Sequence, residues 1–390
     1  MASSRLVLVA WLGATAALAA QSTIAGAPRP ADGRQIIASA SSLGQGLPSA
    51  AALAELRGWN RLVTDGWLAG EFTRVTIEDD PLMPERRHER FRQTHLGVPI
   101  WGGDVRRQIN TFGQTESIFG TYYPDVDVDV TPGTTAPGGA TLEILPTDRG
   151  FRLTWMTRAG SETAGARRWI FTDATSGDLL FTYDDACARE AAERAGARPS
   201  IDAGDAESRT ARAALDVISE YFLRRFGRRD LPTVGASTLS AGVEAGAHAV
   251  SHGVIAATSG LVHYDDAGRL DEAFADIIGV SAKAFAQPSV TDEPARSNVV
   301  GAMFALAIAG GTTGAAGVTV DGVGAGNRDQ IERVVYRAFT MLLPARATVA
   351  MARAATLQAA LDLYGADSRA MRAIAQAWTA VGVEVRQAGS

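Results

Sequence analysis

The sequence predicts an α+β protein: two small β-rich units in the N-terminal half, followed by a mainly α-helical domain. Two patterns predict it. Apolar and polar residues alternate between turn signals up to about Asp185, and apolar residues recur at helical spacing beyond about Ala206. The composition agrees, because 390 residues that are 46% hydrophobic and 7% aromatic suffice for two or three packed domains and are too apolar for a disordered chain.

The first residues, "MASSRLVLVAWLGATAALAAQ", set Arg5 before an apolar run from Leu6 to about Ala17, with Ala17 and Ala19 spaced for signal peptidase. A signal peptide over residues 1–19 is expected, and with it a secreted or periplasmic protein. Gly13, Thr15 and Gln21 break the run, whereas a spanning anchor needs roughly 18 continuous apolar residues, so no membrane association is expected after signal removal. Residues 20–57 are rich in Ala, Gly and Ser with little period, which predicts a leader of low structural content.

From Gly58 the pattern changes. "FRQTHLGVPIWGGDVRRQINTFGQTESIFGTYYPDV" alternates, with turns at Gly97, Gly102–Gly103 and "TFGQ", and so predicts hairpin-linked strands in a unit over 58–130. The joint "TPGTTAPGGA" follows. "FRLTWMTRAG" and "ARRWIFTDATSGDLLFTYDD" add strands around a tight "TSGD" turn, giving a second small α+β unit over 138–186. Residues 187–203 read as a linker or partial helix. In the domain expected over 204–388, "AESRTARAALDVISEYFLRRFG" has helical period with Gly227 as its stop, and six further helical patterns extend to "SRAMRAIAQAWTAVGV".

Charge and cysteine usage narrow the function. A net charge of −6, without a dense Lys/Arg stripe, leaves no electrostatic case for nucleic acid. Cys187 is the single cysteine, so no intrachain disulfide framework is available.

The chemistry lies in "HAVSH". On a helix His248 and His252 share a face and reach one ion through ring nitrogens at about 2.0–2.1 Å. "RLDEAFADIIG" supplies Glu272 on a following helix as a third ligand, with Asp276 one turn later to hold a ligating imidazole. Taken alone, two histidines four apart on an alanine-rich helix fit packing or surface roles as well.

The wider stretch "GAHAVSHGVIAATSGLVHYDDAGRLDEAFADIIG" resembles the zinc-site region of the thermolysin-like metallopeptidases, where a helix bearing HExxH precedes one bearing NExxSD, here "DEAFAD". "THLGVPIWGGDVRRQIN" resembles the family's fungalysin/thermolysin propeptide, and the strands up to "GDLLFTYDDA" resemble a PepSY unit. "GVTVDGVGAGNRDQIERVVYRAFTMLL", "ATLQAALDLYGADS" and "AWTAVGV" resemble the helical C-terminal subdomain. The resemblance implies zinc helices over 240–286, a helical subdomain over 295–388, and Zn2+ held by His248, His252 and Glu272 with Asp276 behind them.

It also implies losses. The family's general base follows the first histidine, and Ala249 stands there; such a base contributes about 10²–10⁴-fold in rate. Pro294 lies near the position of the oxyanion histidine, and the segment carrying a family arginine is shortened to "AFAQPSVTDEPA". "RRDLPTVGASTLSA" leaves no room for the substrate-pairing sheet, so the domain's N-terminal sheet is expected to be truncated. Lys283 stands where a calcium ligand is expected opposite Glu244, predicting a Glu244–Lys283 ion pair in place of calcium. His263, at the position of a family active-site tyrosine, is either a loop histidine or an auxiliary group facing the metal; Asp265 and Asp266 read as turn formers before Gly268.

Three classes follow. The first is a secreted zinc-binding pseudopeptidase that binds a peptide or protein ligand. The second is an active zinc metalloendopeptidase or other zinc hydrolase of altered mechanism, marked by His263 turned toward the metal. The third is a structural protein without zinc, marked by splayed histidine rings. Oligomeric state is not legible.

Overall fold

A computed structural model describes residues 28–42, 47–159, 167–185, 206–287, 298–313 and 317–383. The expected signal peptide, the 187–203 linker with Cys187, and Pro294 lie outside the described residues.

Nine strands form one sheet: β1 (Arg34–Ser39), β2 (Phe72–Asp79), β3 (Arg86–His95), β4 (Val98–Asn110), β5 (Thr115–Tyr122), β6 (Thr141–Thr147), β7 (Gly150–Ala159), β8 (Arg167–Asp173) and β9 (Leu179–Asp185). The main path runs β1-β5-β4-β6-β7-β8-β9, with β3 also against β4 and β2 against β3. The two expected units are thus continuous. They meet at a bend in β4: residues from Asp104 to Ile109 pair antiparallel with β5, while Ile100 pairs parallel with Ile144 of β6. Gly102 sits at that bend with φ 81°, in the left-handed region. The second unit, expected to be α+β, holds strands and turns but no helix among its described residues.

The expected leader also differs. Residues 34–39 are β1, the edge partner of β5, and α1 (Ala50–Ala69) begins inside it, N-capped by the Ser49 side chain, which accepts from the Ala52 amide. Composition hid both, because α1 is stabilised by packing: Leu56, Trp59 and Val63 pack with Ile36, Phe72, Phe91, Val105 and Ile118 on one sheet face. Period 2 sends the neighbour Phe119 to the opposite face, where it joins the helical core.

That core is built by α2 (Ala206–Phe226), α3 (Ala236–Ser240), α4 (Val243–Ala257), α5 (Asp265–Ala286), α6 (Val299–Ala309), α7 (Arg328–Arg337), α8 (Val349–Tyr364) and α9 (Arg369–Ala380), with a π turn over Ala338–Leu342 after α7. Phe226 stacks on Tyr336 with centroids 3.9 Å apart, and Trp378 is fully buried, its indole N–H donating to the Thr356 hydroxyl. Between Gly227 and α4 the described chain holds only the short α3 and no strand, which fits the expected truncation.

Sheet and helices are tied by buried charge. Arg337 is fully buried and donates to Asp80 Oδ2 (2.6 Å), Asp362 Oδ2 (2.8 Å) and Gln108 Oε1 (2.9 Å). His88 Nε2 lies 2.8 Å from the same Asp80 oxygen. Burial pushes the Asp80 carboxyl up, but His88 and Arg337 outweigh it and hold the pKa at about 2. Arg106 of β4 donates to the carbonyl of Thr258, the C-cap of α4 (2.5 Å), giving that helix end a cation. Ser39 of β1 donates to Gln358 of α8 (2.5 Å).

Candidate metal centre

α4 and α5 carry the site. They pack closely because Gly279 lacks a side chain: a Cβ there would stand 3.0 Å from the Glu244 carbonyl oxygen and 3.4 Å from His248 Cβ. Within α4, residues four apart share a face, so His248 and His252 both turn toward α5, which presents Asp271, Glu272 and Asp276.

The ring nitrogens of the two histidines converge. His248 Nε2 and His252 Nε2 are 3.1 Å apart, and Glu272 Oε2 is 3.7 Å from each. The outer nitrogens are held from behind: His248 Nδ1 by Asp276 Oδ1 at 3.2 Å, and His252 Nδ1 by Asp271 Oδ1 at 3.1 Å. With those Nδ1–H groups donating to carboxylates, each Nε2 presents a lone pair. Two lone pairs 3.1 Å apart beside a carboxylate repel unless a proton or a metal cation lies between them.

The spacing suits one ion. A tetrahedral cation about 2.0–2.1 Å from each donor sets donors roughly 3.4 Å apart, and 3.1, 3.7 and 3.7 Å bracket that value. These three residues are the group of His, Cys, Asp and Glu among the described residues that meets such spacing. The chemistry of the set, two imidazoles and a carboxylate, matches what zinc takes in a site with an open fourth position.

The site is reachable. Glu272 and Asp276 side chains are 39% and 36% exposed with the N-terminal sheet in place, while Asp271 is 1% exposed. Burial works against the Asp271 charge, but His252 and His263 outweigh it and hold the carboxyl below its ordinary value. Burial likewise works against a charged His252, yet Asp271 and Glu272 hold its imidazole above the usual range.

The structure brings the expected residues His248, His252, Glu272 and Asp276 together and adds Asp271, to which the sequence assigned no role. The sequence places Asp271 one residue before Glu272, but which imidazoles it meets depends on the α4–α5 packing and the loop bearing His263. His263 is close to the site but engages Asp271 Oδ2 at 2.8 Å, with its ring centroid 6.1 Å from that of His252. Ala249 is half-buried on α4, and its methyl group offers neither donor nor acceptor. The expected ion pair is present, with Lys283 Nζ donating to Glu244 Oε2 at 3.0 Å. Asp265 and Asp266 are not a separate turn: they open α5, where carboxylates meet the positive end of the helix.

Fold and site together define a class: a helical domain bearing a His/His/Glu centre on paired helices, joined to an N-terminal sheet domain. Comparisons with known proteins match parts of the chain to one family. The model of the thermolysin metallopeptidase alpha-helical domain matches residues 295–383, and the Fungalysin/Thermolysin Propeptide Motif matches 85–122. A bacillolysin of Bacillus cereus is 27% identical over 190 residues, 38% of this chain and 33% of that protein. A thermolysin of Alicyclobacillus acidocaldarius is 27% identical over 187 residues, 37% of this chain and 33% of its own length. Among solved structures, the precursor of protealysin, a metalloproteinase from Serratia proteamaculans, matches with a TM-score of 0.34 at 16% identity, over 53% of this chain and 83% of that one. The chain is a homologue of the thermolysin-like metallopeptidases. Its matches span about a third of the length of the curated relatives.

Proposed function

We propose that this protein is a secreted, zinc-binding thermolysin homologue whose peptide hydrolysis is impaired, so that it acts by binding a peptide or protein ligand. The observation that carries the metal reading is the convergence of His248 Nε2, His252 Nε2 and Glu272 Oε2 with both Nδ1 atoms braced by carboxylates. Zinc bound there would supply Lewis acidity beside the open face of the site.

What the chain's own residues lack is proton handling. A general base one residue after the first ligand is replaced by Ala249. Of the neighbouring carboxylates, Asp271 and Asp276 hold imidazoles and Glu244 pairs with Lys283. His263 bonds to Asp271, which speaks against its use as a base at the metal. The Glu244–Lys283 pair likewise supports a domain without the family's calcium at that position.

Export rests on the sequence of the first 19 residues, and no helix among the described residues is long and apolar enough to cross a membrane. The strands from Thr141 to Asp185 are PepSY-like in this reading, and remain with the protein because self-cleavage is impaired.

The test is metal content and peptidase activity on the same purified chain, beside Ala249→Glu. One zinc per chain with no cleavage is the expected result. Chelator-sensitive cleavage by the wild type would replace this reading with an active hydrolase of altered mechanism, and absence of zinc would remove the metal.

A further inference from the structure

We infer that His263 is a positioning residue for the metal centre: it fixes the buried Asp271 carboxylate so that this carboxylate orients His252 toward the metal. The inference rests on the zinc reading above.

Asp271 divides its two oxygens between two imidazoles. Oδ1 faces His252 Nδ1 at 3.1 Å and Oδ2 faces His263 Nε2 at 2.8 Å. A carboxylate exposed by only 1% needs donors on both oxygens, and a carboxylate anchored at one end has little freedom left at the other. The proton it draws onto His252 Nδ1 leaves Nε2 as the lone pair that converges with His248 Nε2. His263 thus acts one step behind Asp271, without touching the ion.

The loop bearing His263 is built to stay in place. Val262 donates its amide to the Ala345 carbonyl at 2.9 Å. Tyr264 inserts its ring among Trp101, Phe181 and Tyr183 of the sheet, at centroid distances of 5.8, 5.1 and 6.0 Å. The Arg346 guanidinium lies over both Trp101 (4.8 Å) and Tyr264 (5.7 Å). On the helix side, Gly268 leaves the His263 backbone room, since a Cβ there would lie 3.1 Å from the His263 carbonyl carbon. The N-terminal sheet therefore braces the loop from which His263 reaches Asp271.

The experiment measures zinc affinity of the full chain by competition with a chromophoric chelator, for the wild type, His263→Leu, His263→Gln, Asp271→Asn and the double variant His263→Leu/Asp271→Asn. His263→Leu should weaken zinc binding about 10- to 100-fold, the range for losing an outer partner of a ligating histidine. His263→Gln keeps an N–H donor and should recover most of that loss. In the Asp271→Asn background the leucine substitution should cost little more, because His263 works through Asp271. Wild-type affinity in His263→Leu would overturn the inference, as would equal losses in the leucine and glutamine variants or losses that multiply in the double variant. A wild type that binds no zinc would fail the metal reading itself, a result separable from the other three.

Discussion

Asp271 shows what a single residue does here: it turns a buried negative charge into a fixed orientation for two imidazoles. Removing a ligand is harsher than removing that support. His248→Ala or His252→Ala should abolish stoichiometric zinc while leaving the fold, since both rings sit at the half-buried edge of the α4–α5 pair; far-UV circular dichroism and metal analysis on the same sample check both parts. A second residue, Glu143 of β6, carries a pH signature. Burial pushes Glu143 up to about 7 against the opposing pull of Arg92. A carboxyl whose folded pKa exceeds its unfolded one contributes stability that is full below about 4.5 and is lost as pH rises through 7. Glu143→Gln removes that loss, so in urea melts it should be more stable than the wild type at pH 8 by up to about 3 kcal/mol and converge with it near pH 4.

At the scale of elements, the centre depends on how closely α4 and α5 approach. Gly279 sets that distance, so Gly279→Val should force the helices apart and cost about 1–3 kcal/mol. Zinc affinity should fall with it, because Glu272 reaches the histidines only across this contact; calorimetric titration of zinc and a urea melt report the two effects. α2, α5, α7 and α9 were legible from their apolar period, whereas α6 and α8, apolar on nearly every side, were legible from their length and from the caps Asn298 and Thr348 at their starts. Ser368 is one such cap, accepting from the Met371 amide, and Ser368→Ala should cost about 1 kcal/mol in a urea melt. β1 and α1 were not legible: short alternation in "RQIIAS" and a helix with sparse apolar residues gain their order from the sheet face they cover.

For the whole molecule, the decisive feature is the buried charge joining sheet to helices. Arg337→Met leaves Asp80 buried without its guanidinium and should cost about 3–5 kcal/mol by chemical denaturation. Acid should act on the same joint. Burial lowers the His88 pKa despite Asp80, so its neutral form belongs to the fold; that stability is present above 6.5 and is lost as pH falls below it. Asp80, held at about 2, adds a loss that begins as pH falls below 3.8. The joint should therefore weaken progressively below pH 6.5, and tryptophan fluorescence of the full chain against pH reads it.

The sequence by itself determined the α+β class, the helix pair with His248, His252, Glu272 and Asp276 on facing sides, and the Glu244–Lys283 pair. The class follows from periodicity and the shared face of His248 and His252 from spacing along α4, whereas the partners across the α4–α5 contact, the Glu244–Lys283 pair above all, follow from what the family resemblance implies. Only the tertiary structure decided that Asp271 serves both His252 and His263, that the two β-rich units share one sheet through the bend at Gly102, and that Arg337 finds Asp80. Each joins residues on separate elements, whose meeting depends on packing across the core; local spacing along the chain carries no record of it.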